Sequence, residues 1–121
     1  MASVIDTTRQ VLEHHLAVFG VGDLDGILSD YTDDSIMITP DGPLKGRGAI
    51  RGFFAGALAS PFKPGTYQFT MDTLHVVDDV AYLVWHARCE AVDIVFASDT
   101  FLIRNGKIAL QTYAPKIEPK A

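Results

Sequence analysis

A carboxylic acid at position 99 stands among Val95, Phe96, Ala97, Phe101 and Leu102, an apolar, strand-like run in which an unpaired charge is costly. Turned inward, the Asp99 carboxyl is desolvated, its pKa rises, and it can stay protonated to donate a hydrogen bond to a carbonyl oxygen. Turned outward, it is a rim residue facing water or the partner of an arginine. His15 is the second candidate. It lies one turn from Val11, Val18 and Phe19 on an apolar helical stripe, and an imidazole with an ordinary pKa of about 6.5 suits a general base. A core histidine bonded to a backbone carbonyl or to Tyr31 is the plainer alternative. His14, at the border of the stripe, is the weaker candidate.

Other chemistries find less support. His14, His15, His75 and His86 include no i, i+4 pair and no carboxylate motif of metal-site spacing, so no metal is expected. Gly46-Arg47-Gly48 could hold an anion on free backbone N–H groups, but it reads first as a tight helix entry. Cys89 is the single cysteine and has no neighbouring base in sequence. No Gly-x-Ser-x-Gly, phosphate-loop or dinucleotide fingerprint occurs, so nucleophilic and nucleotide chemistry are disfavoured and no cofactor is expected.

The elements that must position these residues follow from periodicity. Val4, Ile5, Thr8, Val11, Leu12, His15, Leu16, Val18 and Phe19 form one broad helical stripe, with Ser3 and Asp6 as a capping box at its start. After Gly20 to Gly22, Asp23 caps a second short helix burying Leu24, Ile27, Leu28 and Tyr31. Ser35 to Thr39 reads as a short strand stopped by the turn Pro40 to Pro43, and Ile50, Phe53, Phe54, Ala57 and Leu58 mark a third helix ending near Pro61. From Thr66 the period becomes 2. Four strands follow: to Val77, from Val80 to about Glu90, from about Asp93 to Arg104, and from Lys107 to Ala114. Asp78-Asp79 and Asn105-Gly106 are the hairpin turns, and Lys116 to Ala121 is expected to fray. On the second of these strands Ala81, Leu83, Trp85, Ala87 and Cys89 share one face, where Trp85 offers a flat apolar wall or an ordinary core side chain. His86, Arg88 and Glu90 share the other, a polar face or dimer contact.

Composition sets the frame. The 121 residues, 48% hydrophobic, fit one globular domain spanning 1–121, able to bury roughly two thirds of its unfolded surface around a single core. With 15 acidic against 10 basic residues, the net charge of −5 disfavours nucleic acid and anionic membranes as partners. The lone cysteine, the absence of a leader pattern in Met1 to Gln10 and the lack of a bilayer-length apolar run make the cytoplasm the expected location.

Helix, helix, short strand, helix and four strands make an α+β layout with helices on one face of an antiparallel sheet. That order, with Gly22-Asp23-Leu24, Tyr31-Thr32-Asp33-Asp34, Gly46-Arg47-Gly48-Ala49-Ile50 and Asn105-Gly106-Lys107-Ile108, resembles the nuclear transport factor 2-like superfamily over nearly the whole chain. The superfamily includes the ketosteroid isomerases and the SnoaL-like polyketide cyclases. The resemblance implies a cystatin-like roll: a strongly curved antiparallel sheet wrapped into a cone, covered by three N-terminal helices, with an apolar cavity between. Carried over by position from the ketosteroid isomerases, the oxyanion-stabilising aspartate falls at Asp99 and a supporting tyrosine at Tyr31, whereas His15 replaces a tyrosine and Phe54 another. Thr39 replaces the general-base aspartate, and a hydroxyl cannot take a proton from carbon near neutral pH without activation, so ketosteroid isomerase activity as such is not expected. Gln111 and Tyr113 share the parity that faces the cavity in this superfamily.

The resulting expectation is a SnoaL-like binder of a compact apolar or carbonyl-bearing molecule, working as an isomerase, cyclase or lyase by acid/base chemistry without a cofactor. Asp99 would stabilise the enolate oxygen and His15 would be the base. Tyr31, Thr39, Phe54, Trp85, Phe101, Gln111 and Tyr113 would line the cavity. The alternative is a non-catalytic dimeric ligand-binding or association domain, favoured by Thr39. Tyr82, Val84 and His86 on the outer sheet face suggest a homodimer in either case.

Overall fold

The computed structural model describes residues 3–120. Helix α1, Val4–Gly20, opens on the capping box: the Asp6 N–H donates to the Ser3 hydroxyl at 3.2 Å, while the Asp6 carboxylate accepts from the Ser3 N–H. It buries Thr8, Val11, Leu12 and His15, and the Thr8 hydroxyl donates to the Asp78 carbonyl at 2.7 Å, tying the helix to a strand turn. Gly22, with φ of 72° and Pro64 packed where a Cβ would stand, makes the break into α2, Leu24–Leu28, capped by Asp23. Helix α3 is Arg47–Ala59, entered through Gly46 at φ of 87° without a side-chain cap, so the glycine pair serves helix entry.

The strands are β1 Tyr31–Thr39, β2 Gly42–Lys45, β3 Gln68–Val77, β4 Val80–Arg88, β5 Val92–Arg104 and β6 Lys107–Pro119, in the order β2-β1-β6-β5-β4-β3. The sheet is curved and open, and the three helices cover one side, the α+β cone that the sequence implies. One pairing departs from the expected antiparallel sheet: β1 runs parallel to β6, because the chain enters the sheet beside its own last strand after the helical hairpin. Strand β1 begins at Tyr31 rather than Ser35. The Gly42-Pro43 end of the expected turn belongs to edge strand β2, where a proline costs no ladder bond on its solvent side.

Nor do residues 116–120 fray, Ala121 lying outside the described residues. Lys116 to Pro119 pairs with Val92 to Phe96, and the Lys120 N–H donates to the Ala91 carbonyl at 3.0 Å. Prolines 115 and 119 fit there because β1 flanks β6 only as far as Thr112. A bulge at Val95 leaves Val95 and Phe96 both exposed and resets the inward parity to Ala97, Asp99, Phe101 and Ile103. Without that extra residue, the alternation begun at buried Ile94 would turn Asp99 outward. Among the described residues, no helix is long and apolar enough to cross a membrane.

Candidate functional site

Between α1, α3 and the concave side of the sheet lies a chamber of about 690 Å³ with mainly apolar walls. Asp99 reaches it from β5 and is 6% exposed. Its Oδ1 accepts the Trp85 indole N–H at 2.8 Å, and its Oδ2 accepts the Gln111 amide at 2.9 Å. The Tyr31 hydroxyl donates to Gln111 Oε1, which turns the amide N–H₂ toward the carboxylate. Burial pushes Asp99 up to about 6, and the bonds from Trp85 and Gln111 hold it from rising further. Among the described residues, no cation pairs with it, so neither the water-facing rim nor the arginine partner describes this acid.

His15 stands on the wall of the same chamber, 4% exposed, with its ring edge-on to Tyr31, Phe54 and Phe101 at centroid distances of 6.1, 5.8 and 5.3 Å. Among the described residues, its Nδ1 has no hydrogen-bond partner; the Tyr31 hydroxyl is committed to Gln111. Burial, and then the neighbouring His14, lowers its pKa to about 4. The ordinary value that suited it as a base is therefore not the value in this fold. His14 points the other way, its Nδ1 at 2.8 Å from both Asp30 oxygens.

The remaining candidates divide. Phe54, Trp85, Phe101, Gln111 and Tyr113 stand on the wall, with Trp85 and Tyr113 stacked at 6.2 Å. Burial raises the Tyr113 phenol well above its ordinary pKa, and the Asp99 charge adds to this. Tyr31 does not line the chamber: it is buried behind Gln111 and acts on the site through that amide. Thr39 lines it, but its hydroxyl donates to the Gly42 carbonyl at 3.1 Å and accepts the Asp41 N–H at 3.2 Å, which closes the β1–β2 turn.

Two features escaped the sequence. Asp41, in that turn, is a second carboxyl on the wall; two residues beyond Thr39, it read only as part of a turn signal. The Trp85 bond to Asp99 depends on cross-strand register, which pairs Leu83 with Asp99 and sets Trp85 diagonally beside it. Strand alternation had placed Trp85 on the inner face but could not supply that register.

The sequence profile of the SnoaL-like domain matches residues 12–111, and the chain belongs to that family. Solved structures share the fold. Bal32a, from a soil-derived mobile gene cassette, has a TM-score of 0.77 at 18% identity, over 95% of this chain and 92% of its own. SalBIII, an epoxide hydrolase/cyclase-like enzyme in pyran ring formation in the polyether salinomycin, has a TM-score of 0.76 at 17% identity, over 93% of this chain and 95% of its own. A nuclear transport factor 2-like protein of unknown function from Mesorhizobium loti has a TM-score of 0.76 at 16% identity, over 96% of each chain.

Proposed function

We propose that this SnoaL-like protein binds a compact, apolar, carbonyl-bearing molecule in the chamber and transfers a proton beside that carbonyl, as an isomerase or cyclase that needs no cofactor. The observation that carries the reading is Asp99: a carboxyl sealed in an apolar chamber, held by two uncharged donors, with a pKa of about 6. Proton transfer is most efficient when the pKa of the group lies near the working pH, which favours Asp99 over His15 as the proton carrier. This exchanges the roles expected from sequence. The Asp99 carboxylate takes a proton from the carbon next to the carbonyl and returns it elsewhere on the same molecule. His15, neutral, donates its ring N–H to the oxygen on which charge develops. Family membership and the cyclase-like SalBIII neighbour support this class of reaction.

Deuterium exchange of the α-protons of 2-tetralone, followed by NMR, tests the abstraction directly. Wild-type protein accelerates it and Asp99→Asn lowers that rate about a hundredfold or more; a wild-type rate equal to buffer would sink the proposal. A second reading, binding without turnover, is favoured by the Thr39 hydroxyl being spent within its turn; in that case the ketone binds and no exchange occurs.

We also propose a homodimer through the outer sheet face, where Tyr82, 38% exposed, stacks on His75 beside Val84 and half-exposed Phe96. Sedimentation velocity at micromolar concentration should give a dimer, and a monomer would reject it. The lone, buried Cys89 thiol suits a reducing compartment, the cytoplasm.

A further inference from the structure

Helix α3 carries glycine at 48, 52 and 56, one stripe at four-residue spacing. Glycine weakens a helix interior relative to alanine, so three in thirteen residues need a reason. Packing does not supply it: among the described residues, a Cβ added at any of the three meets no atom within 4 Å. Backbone geometry does not either, since none has positive φ. What separates them is the chamber, because Gly52 and Gly56 stand on its wall and Gly48 does not. Both wall glycines are exposed, so the chamber opens to solvent over bare helix backbone. Ile117, on the wall from β6, is also half exposed and gives the opening an apolar side.

His15, on the same wall and 4% exposed, makes no side-chain hydrogen bond among the described residues, and a buried imidazole without a partner favours a ligand able to bond to it. The Asp99 oxygens mark the polar region of the same chamber, each accepting one bond and each able to accept another.

We infer that Gly52 and Gly56 form the sill of the chamber and select its ligand: an elongated molecule with a hydrogen-bonding head at Asp99 and an apolar tail that leaves across the two glycines. This rests on the ligand-binding reading above, though not on turnover.

Trp85 is the single tryptophan and lines the chamber, so its fluorescence reports both occupancy and access. The probes are 4-ethylphenol, with a two-carbon tail, and 4-nonylphenol, whose nine-carbon tail tests passage across the sill. Gly52→Leu and Gly56→Leu should weaken 4-nonylphenol about tenfold or more and 4-ethylphenol by less than about twofold, because added side chains exclude by steric clash. Gly48→Leu should change neither. A Cβ meets open space at all three positions and leucine favours a helix interior over glycine, so each variant should fold, which circular dichroism checks. Equal losses for the two phenols, or the same loss in Gly48→Leu, would overturn the sill. Acrylamide quenching of Trp85 gives an arm that needs no ligand affinity. It should fall in the two sill variants and stay unchanged in Gly48→Leu, and unchanged quenching throughout overturns the inference. If wild-type protein binds neither phenol while acrylamide access falls as stated, the sill stands and the ligand reading fails.

Discussion

Asp30 and Asp99 are buried almost equally, at 7% and 6% exposed, and burial raises the pKa of both, yet they are held by different kinds of neighbour. Asp30, just before β1, meets the His14 imidazole at 2.8 Å and feels the Lys107 ammonium, while its backbone carbonyl accepts the Ile108 N–H at 2.7 Å. It is a joint between α1 and the β1–β6 pair, and groups able to carry positive charge answer its own. Asp99 meets only an indole and an amide. Burial alone therefore does not mark a functional carboxyl. The absence of a counter-charge is what supports the role proposed for Asp99, because it leaves the proton there to be decided by pH and by the surroundings of the carboxyl. The adjacent histidines repeat the contrast, His14 paired with Asp30 and His15 sealed among aromatic rings.

The largest expected effect comes from breaking the chamber side. Asp99 has a folded pKa of about 6 against 3.8 in the unfolded chain, so the stability it contributes is present below pH 3.8 and lost as pH rises through about 6. At roughly 1.36 kcal/mol per pKa unit, that loss is about 3 kcal/mol. His15, lowered from 6.5 to about 4, has the opposite sign: its contribution is present above pH 6.5 and lost as pH falls through about 4. The two slopes oppose one another between about pH 4 and 6. Urea unfolding across that range should show Asp99→Asn gaining on wild type as pH rises and His15→Gln gaining as pH falls. Variant and wild-type curves running parallel would mean that neither group is held as described.

A smaller effect sharpens the other side of the comparison. Asp30→Ala should cost about 1–2 kcal/mol near neutral pH, the lower end being favoured because His14 is half exposed and screened. It should leave 4-ethylphenol binding at Trp85 unchanged, whereas Asp99→Asn alters it. Equal losses of binding in the two variants would erase the distinction between joint and chamber.

Local chemistry made much of the fold legible. The Ser3 box, the Asp23 cap and the positive φ at Asn105 and Gly106 were readable because each is settled within a few residues. Alternation along β4 likewise put Ala81, Leu83, Trp85, Ala87 and Cys89 on the buried face. The parallel β1–β6 pairing and the extension of β6 past Pro115 were not readable, since each depends on a neighbour far away in sequence; the short strand β2 pairs locally with β1, but its start is hidden in the Pro40 to Pro43 turn signal. For the site, residue type singled out Asp99 and His15, but Asp41 and the diagonal reach of Trp85 emerged only with the register.

By itself the sequence determined periodicity, caps, turns and the order of elements, because these are interactions among near neighbours along the chain. Tertiary structure alone decided that Asp99 faces inward, through one bulged residue at Val95, and that Trp85, Gln111 and Tyr31 converge on it from three other strands. It also decided the two proton affinities that matter, pulling an acid and a base toward and past one another to about 6 and about 4. Desolvation is the reason: it depends on what surrounds a group in space, and no spacing along the chain encodes that directly.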